Sequence, residues 1–279
     1  MGKFKNLKQW PFVQCLWALA KWLFLAIILG ALVGSIGALF GHTLIWANKF
    51  REAYPYVVYG LPVGGLVIVL LYRGAKNTED RGTNTVIGAL QEGSDVPFKM
   101  APLIFISTTI TQLVGGSAGR EGAALQLGGS VANRVAKLFR FKESSRKMLI
   151  MCGMSAGFSA LFGTPLAASV FSLEIACVGY MQLSGFVPCV IAAYTGFFMA
   201  KLFGMPPEVF PVEAIPGVTP VLLLQVVALA VVAGVVSILF CKVLHGAEHL
   251  YGHCIKNSYL RIAVAGILLI LLTGAADQL

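Results

Sequence analysis

Along most of the chain, apolar residues run on without the strict alternation of a half-exposed strand or the spacing of an amphipathic surface helix. Between Lys147 and Lys201 the only charged side chain is Glu174. Segments this apolar read as helices of membrane length or somewhat less. Trp17 to about Ala47 predicts a first spanning helix, long enough to tilt, and Val57–Tyr72 a shorter second one, before a polar loop over 73–81. Gly82-Thr83-Asn84-Thr85-Val86-Ile87-Gly88 opens a piece too short to cross a bilayer. Pro102–Val114 is apolar and ends in a glycine cluster; Gly122–Phe139 begins small and apolar and finishes basic. Met148–Phe162 and Pro165–Tyr180 predict a helical hairpin, with Thr164 capping the second helix and Pro165 at its first position. Gly185–Phe203, Thr219 to about Leu250, and Ile262–Leu272 complete the set.

Composition agrees. Of the 279 residues 57% are hydrophobic and 12% charged, whereas soluble domains carry about 25% charged residues. The chain is therefore expected to be an all-α polytopic membrane protein, multi-pass in the plasma (cell inner) membrane. Its net charge of +9 gathers at Lys3, Lys5 and Lys8 and at Arg134, Lys137, Arg140, Lys142, Arg146 and Lys147. Loops of that kind stay in the cytoplasm, which puts the amino terminus there and removes any need for nucleic acid as a partner. The apolar run after Trp17 is too long for a cleavable signal, and no small-residue cleavage site follows. The tryptophans Trp10, Trp17, Trp22 and Trp46 fit an interfacial belt. Six cysteines (Cys15, Cys152, Cys177, Cys189, Cys241, Cys254) form no C-x-x-C pair and read as small buried hydrophobes, with no cofactor implied. Gly30, Gly34, Gly37 and Gly41 share one face of the first helix and predict close approach of another helix.

Chemistry concentrates at Glu121, inside the glycine-dense stretch Gly115–Ser130. A carboxylate at bilayer depth costs about 2.5–3.5 kcal/mol by insertion scales, so it marks a pathway by default. Glycines let backbone N–H groups crowd the point where a helix begins, and such a point attracts anions. A carboxylate there occupies the anion's place; protonating it vacates that place. The pieces opening at Thr83 and Glu121 read as short half-helices, and broken helices whose amino termini meet at the midplane build ion sites in transporters. Glu174 reads either as a buried acid bonded to backbone at a helix end or as a participant in proton movement.

The sequence also repeats itself. Gly34-Ser-Ile-Gly-Ala-Leu39-Phe40 through Leu44 and Ala47 recurs 200 positions later as Gly234-Val-Val-Ser-Ile-Leu239-Phe240 through Leu244 and Ala247. Repeats of this kind are typical of transporters. The division expected is 1–210 for a first repeat carrying the half-helices and 211–279 for the start of a second. A complete second copy would need roughly 120 more residues by that period.

These residues resemble the CLC family of anion channels and proton-coupled anion exchangers. Gly119-Arg120-Glu121-Gly122 is similar to the family's G-[KR]-E-G-P motif. Ser155-Ala-Gly-Phe-Ser-Ala-Leu-Phe-Gly-Thr-Pro down to Phe171-Ser-Leu-Glu174 resembles the hairpin ahead of its acidic F-x-x-E element. The resemblance implies an inverted-repeat helical bundle with broken half-helices, its second repeat incomplete. It implies Glu121 as the gating, proton-accepting glutamate, and Gly82, Thr83, Asn84, Gly119, Gly122 and Ala123 as the surroundings of a small inorganic anion, fluoride or chloride. Arg120 falls in the same motif and is expected to hold the loop rather than the ion. A homodimer paired partly through Pro165–Phe203 is also implied. Ala123 stands where the motif has proline, Gly-Thr-Asn replaces G-S-G-I-P, and Ile175 follows Glu174 where many chloride/proton exchangers have a second glutamate. Together these departures look more like the fluoride/proton antiporter branch than the chloride branch.

Two other readings stand beside this one. His245-Gly-Ala-Glu248-His249, with His253 one turn on, has the form H-x-x-E-H of a metalloprotease, although no convincing fourth ligand or substrate cleft accompanies it. The chain is otherwise an ordinary chloride channel, or a fragment that inserts but does not transport. On the last reading residues 1–279 alone, reconstituted at defined protein-to-lipid ratio, give ion flux no greater than empty liposomes. Robust flux lost on Glu121→Gln would overturn that expectation.

Overall fold

The computed structural model describes residues 11–76, 82–175, 183–206, 217, 219–255 and 257–276; the side chains of 11–13, 15, 248, 275 and 276 fall outside that description. Lys3, Lys5, Lys8, Trp10 and Cys177 lie beyond it, as do the last turns expected of the helix ending at Tyr180. Among the described residues there are ten α-helices and no strand. They are α1 (Pro11–Ala53), α2 (Leu61–Gly74), α3 (Thr83–Gln91), α4 (Met100–Leu113), α5 (Arg120–Leu138), α6 (Glu143–Phe162), α7 (Pro165–Glu174), α8 (Phe186–Leu202), α9 (Pro220–Cys254) and α10 (Ser258–Ala276). Four helical stretches are long and apolar enough to cross a membrane: Leu16–Ala53, Pro55–Gly74, Leu183–Leu202 and Pro220–Cys254. The chain divides into two compact units, Met1–Glu208 and Val209–Leu279.

In the first unit the glycine stripe on α1 does what its spacing predicts. A Cβ at Gly30 would lie 2.6 Å from the Ala192 carbonyl oxygen, and one at Gly34 would lie 2.6 Å from the Gly196 Cα. One at Gly37 would lie 3.0 Å from the Ala160 Cβ. Opposite α1, α8 in turn meets α6, where a Cβ at Gly196 would be 2.7 Å from the Ala156 oxygen. Gly128 of α5 and Gly153 of α6 press against each other in the same way, and Gly157 stands against the Ala124 oxygen. Helices α1, α5, α6 and α8 thus touch through their backbones, and Leu29, Val33, Leu125, Met151, Met154 and Ala192 fill the interior between them.

At the basic end of α5 and the start of α6, polar groups stitch down the loop over 93–97. Asn133 Nδ2 donates to Asp95 Oδ1 (3.0 Å) and to the Val96 carbonyl (2.7 Å). Ser130 Oγ donates to the Pro97 carbonyl at 2.9 Å, Arg146 donates to the Gly93 carbonyl at 2.7 Å, and Lys137 pairs with Asp95. Burial pushes the Asp95 carboxyl upward, but hydrogen bonds from Lys137 and Asn133 and the charges of Lys137 and Arg146 outweigh it and hold the group below its ordinary value.

Several expectations need correction. Thr164 precedes α7 with Pro165 in its first turn, but its side chain makes no capping bond; Thr219 does, accepting from the Leu222 N–H at 3.1 Å. Glu174, read as a buried acid, is exposed at the end of α7, where the last turn carries it out of the packed face formed by Ser169, Ser172 and Leu173. Cys152 and Cys189 are buried, whereas Cys241 and Cys254, both on α9, are exposed. Of the two pieces read as half-helices, α3 has 9 residues, about 13 Å, but α5 runs for 19, about 28 Å.

Gly34→Ala tests the backbone contact. Alanine favours a helix over glycine by about 1 kcal/mol, yet here its methyl meets the Gly196 backbone, and overpacking costs about 1–3 kcal/mol. The variant is expected to lower the apparent Tm in detergent. Gly74→Ala, where a Cβ meets nothing within 4 Å, is expected to leave it unchanged or raise it; equal shifts for both would refute the contact's importance.

Candidate functional site

Residues distant in sequence meet where α3 and α5 begin. Gly82 precedes α3 at φ 60°, ψ −135°, a conformation that only glycine adopts without strain. That turn sets Thr83 as the first residue of the helix. Thr83 Oγ1 lies 2.9 Å from where a Cβ at Gly122 would stand, so the third residue of α5 must be glycine for the two amino ends to come this close. The body of α3 is held by Val86, Ala89 and Leu90, all buried, and a Cβ at Gly129 would lie 2.7 Å from Val86 Cγ1. Asn84, next along, is exposed.

The loop that delivers Glu121 to this place is anchored from α1 and α4. Asn48 Nδ2 donates to Gln112 Oε1 at 3.3 Å, and Gln112 Nε2 donates to the Ala118 carbonyl at 3.1 Å. Gly115, at φ 82°, makes the turn out of α4, and the Gly116 N–H donates to the Thr111 carbonyl at 2.8 Å. Gly119 then enters α5 with extended backbone, φ −69°, ψ 142°. Arg120 follows, its guanidinium 5.6 Å from the centre of the Phe162 ring, which ties the start of α5 to the end of α6. This geometry fits a residue that holds the loop.

Glu121 is exposed in the first turn of α5, where the helix dipole favours negative charge. Its Oε2 lies 2.8 Å from where a Cβ at Gly119 would be, so the carboxylate folds back over the glycine that starts the helix. Ala123 faces the other way. It is 3% exposed and packs with Ala124, Leu127, Phe40 and Leu161, so its side chain belongs to the core and not to the crevice. The N–H groups that precede the helical ladder come from Gly119 to Gly122.

Gln126 was not singled out from the sequence. In the second turn of α5, it is 5% exposed, and its Nε2 donates to Thr83 Oγ1 at 3.4 Å. The signal available was a lone amide in the buried run Ala123-Ala-Leu-Gln-Leu-Gly-Gly. The histidines of the second unit are arranged differently. His245 Nδ1 is hydrogen-bonded to the carbonyl of Cys241 at 2.7 Å, and the His249 and His253 rings stack with centres 6.5 Å apart. Among the described residues no group of three or more His, Cys, Asp and Glu side chains is gathered as for a metal; the Glu248 side chain lies outside the description.

Known proteins share both the fold and the sequence. Residues 63–278 match the voltage-gated chloride channel family, and the chain belongs to it. A "chloride/fluoride channel protein" of Pseudomonas syringae pv. tomato is 34% identical over 270 residues, 96% of this chain and 59% of that protein. A voltage-gated ClC-type chloride channel of Yersinia pseudotuberculosis is 26% identical over 90% of this chain and 58% of its own length. The crystal structure of a CLC-type fluoride/proton antiporter superposes with a TM-score of 0.86 at 30% identity, covering 91% of this chain and 65% of that one. A slow cyanobacterial Cl−/H+ antiporter shares the fold, with a TM-score of 0.73 at 19% identity over 88% of this chain and 63% of that one. The chain thus spans about three-fifths of the length of these two curated relatives.

Proposed function

We propose that the protein moves a small inorganic anion across the membrane in exchange for protons, with the crevice between the amino ends of α3 and α5 as half of the anion site and Glu121 as its gate. The observation that supports this reading is the approach of the Thr83 hydroxyl to Gly122, each in the first turn of its helix, where N–H groups lack a partner in the ladder. Glu121 begins the same turn with its carboxylate folded over Gly119. Charged, it competes with an anion for those donors. Protonated, it loses its attraction for them and leaves the place to an anion, so one group links proton and anion occupancy. Gly82, Thr83, Asn84, Gly119 and Gly122 contribute donors or the space for them; Arg120 and Ala123 act through the loop and the core. The likeness to a fluoride/proton antiporter supports fluoride as the preferred anion, and the relative from Pseudomonas syringae is named for both chloride and fluoride. Fluoride is small and strongly hydrated, so it needs a site dense in hydrogen-bond donors. A homodimer fits the apolar side chains exposed on α7 and α8, among them Leu166, Val187 and Phe198.

Two measurements on the full-length protein in liposomes test the reading. Glu121→Gln keeps the size of the side chain and removes the titratable group, so proton movement coupled to the anion should fall to the background of empty liposomes while the protein stays folded. Unchanged proton and anion fluxes would exclude Glu121 as the gate. Wild-type fluoride flux should exceed chloride flux under equal gradients; chloride flux equal to or above it would return the protein to the chloride branch.

A further inference from the structure

The amide of Gln126 is the group in this crevice that ordinary packing does not explain. The side chain is 5% exposed and lies in a run of α5 where Ala123, Ala124, Leu125 and Leu127 are all buried. Leucine or methionine would fill that volume without cost. A buried amide with an unsatisfied group is destabilising, and Gln126 Oε1 is buried and accepts no hydrogen bond among the described residues. The head of the side chain lies at the two helix starts. Nε2 is 3.4 Å from Thr83 Oγ1, and it lies 3.7 Å and 4.0 Å from where Cβ atoms on Gly82 and Gly122 would be.

The polarity of that contact decides what Thr83 can do. A hydroxyl has one hydrogen to give and two lone pairs to receive. With the amide N–H directed at the oxygen, the hydroxyl hydrogen is left to point elsewhere. At 3.4 Å the bond is long. It would tighten when the hydroxyl donates to a negative charge, because a donating hydroxyl becomes a better acceptor. Oε1, on the same amide, remains short of a donor, and a water molecule held beside an anion supplies one.

We propose that Gln126 is a positioning residue of the anion site: its N–H fixes the Thr83 hydroxyl as a donor to the anion, and its carbonyl oxygen accepts from a water that accompanies the ion. The proposal rests on the anion-site reading above and adds a residue that holds the ion only through others. It makes the site receptive to an anion that keeps part of its hydration shell.

Initial rates of fluoride and chloride flux, measured against concentration in proteoliposomes of the full-length protein, test this. Gln126→Leu should raise the fluoride half-saturation concentration about tenfold and change the maximal rate less than twofold. Thr83→Val should do the same, and the double variant should go no further than either single one, because both remove one linked pair. Gln126→Glu should be worse than Gln126→Leu, since a carboxylate receives the Thr83 hydrogen instead of freeing it. Gln126→Asn, too short to span to Thr83, carries the same prediction as Gln126→Leu and stands in if the leucine variant does not fold. An unchanged half-saturation concentration in folded Gln126→Leu or Gln126→Asn, or effects that add in the double variant, would overturn the proposal. If either comes with proton coupling that Glu121→Gln abolishes, only the role of Gln126 falls. A wild-type protein without anion flux would remove the site reading itself.

Discussion

The Ala192 carbonyl sits 2.6 Å from where a side chain on Gly30 would begin, and the Gly196 Cα stands against Gly34 at the same separation. In lipid, water does not drive helices together, and their association depends on close packing and on the groups they satisfy for one another. Helices α1, α5, α6 and α8 meet through glycine and alanine, so their backbones come nearer than larger residues allow. The irregular segments around them depend on that closeness. Unpaired backbone at membrane depth survives only under cover of protein or beside a cavity. The glycine-rich entry to α5 and the turn before α3 lie against the frame these contacts hold.

The frame also explains why chemistry falls at helix starts and not along helix faces. Inside the bundle, faces are taken up by small residues in backbone contact, and Ser169, Ser172 and Thr195 return their hydroxyls to their own helices. Where a helix begins, its first N–H groups lack a partner in the ladder. Two such ends meet at Thr83 and Gly122, and on the reading proposed above they concentrate donor capacity at one point.

Much of this could be read from residue order. The spacing of Gly30, Gly34, Gly37 and Gly41 marked a contact face because helical periodicity is local, and the glycine turns at Gly82 and Gly115 marked where helices change direction. Glu121 stood out because a charge in an apolar run has few inexpensive explanations. What failed depended on the third dimension. Glu174 looked buried because its neighbours are apolar, but which side of α7 packs is decided by α6 and α8. Ala123 was named from its place in the family motif, and the structure adds that its methyl is buried, since one step along a helix from Gly122 turns a side chain by about 100°. Gln126 was missed for the converse reason: its partner Thr83 is 43 positions away.

The bonds from Asn48 through Gln112 to Ala118 bear on time as well as place. They tie the segment just before Glu121 to α1 and α4, and Arg120 next to it lies over the Phe162 ring of α6. A side chain mounted just after two such contacts, in the first turn of a helix, can turn about its own bonds while the backbone beneath it stays still. Rotamer changes of exposed side chains take picoseconds to nanoseconds, whereas collective helix motions take microseconds to milliseconds. Rotation of the Glu121 side chain alone therefore needs no rearrangement of the bundle.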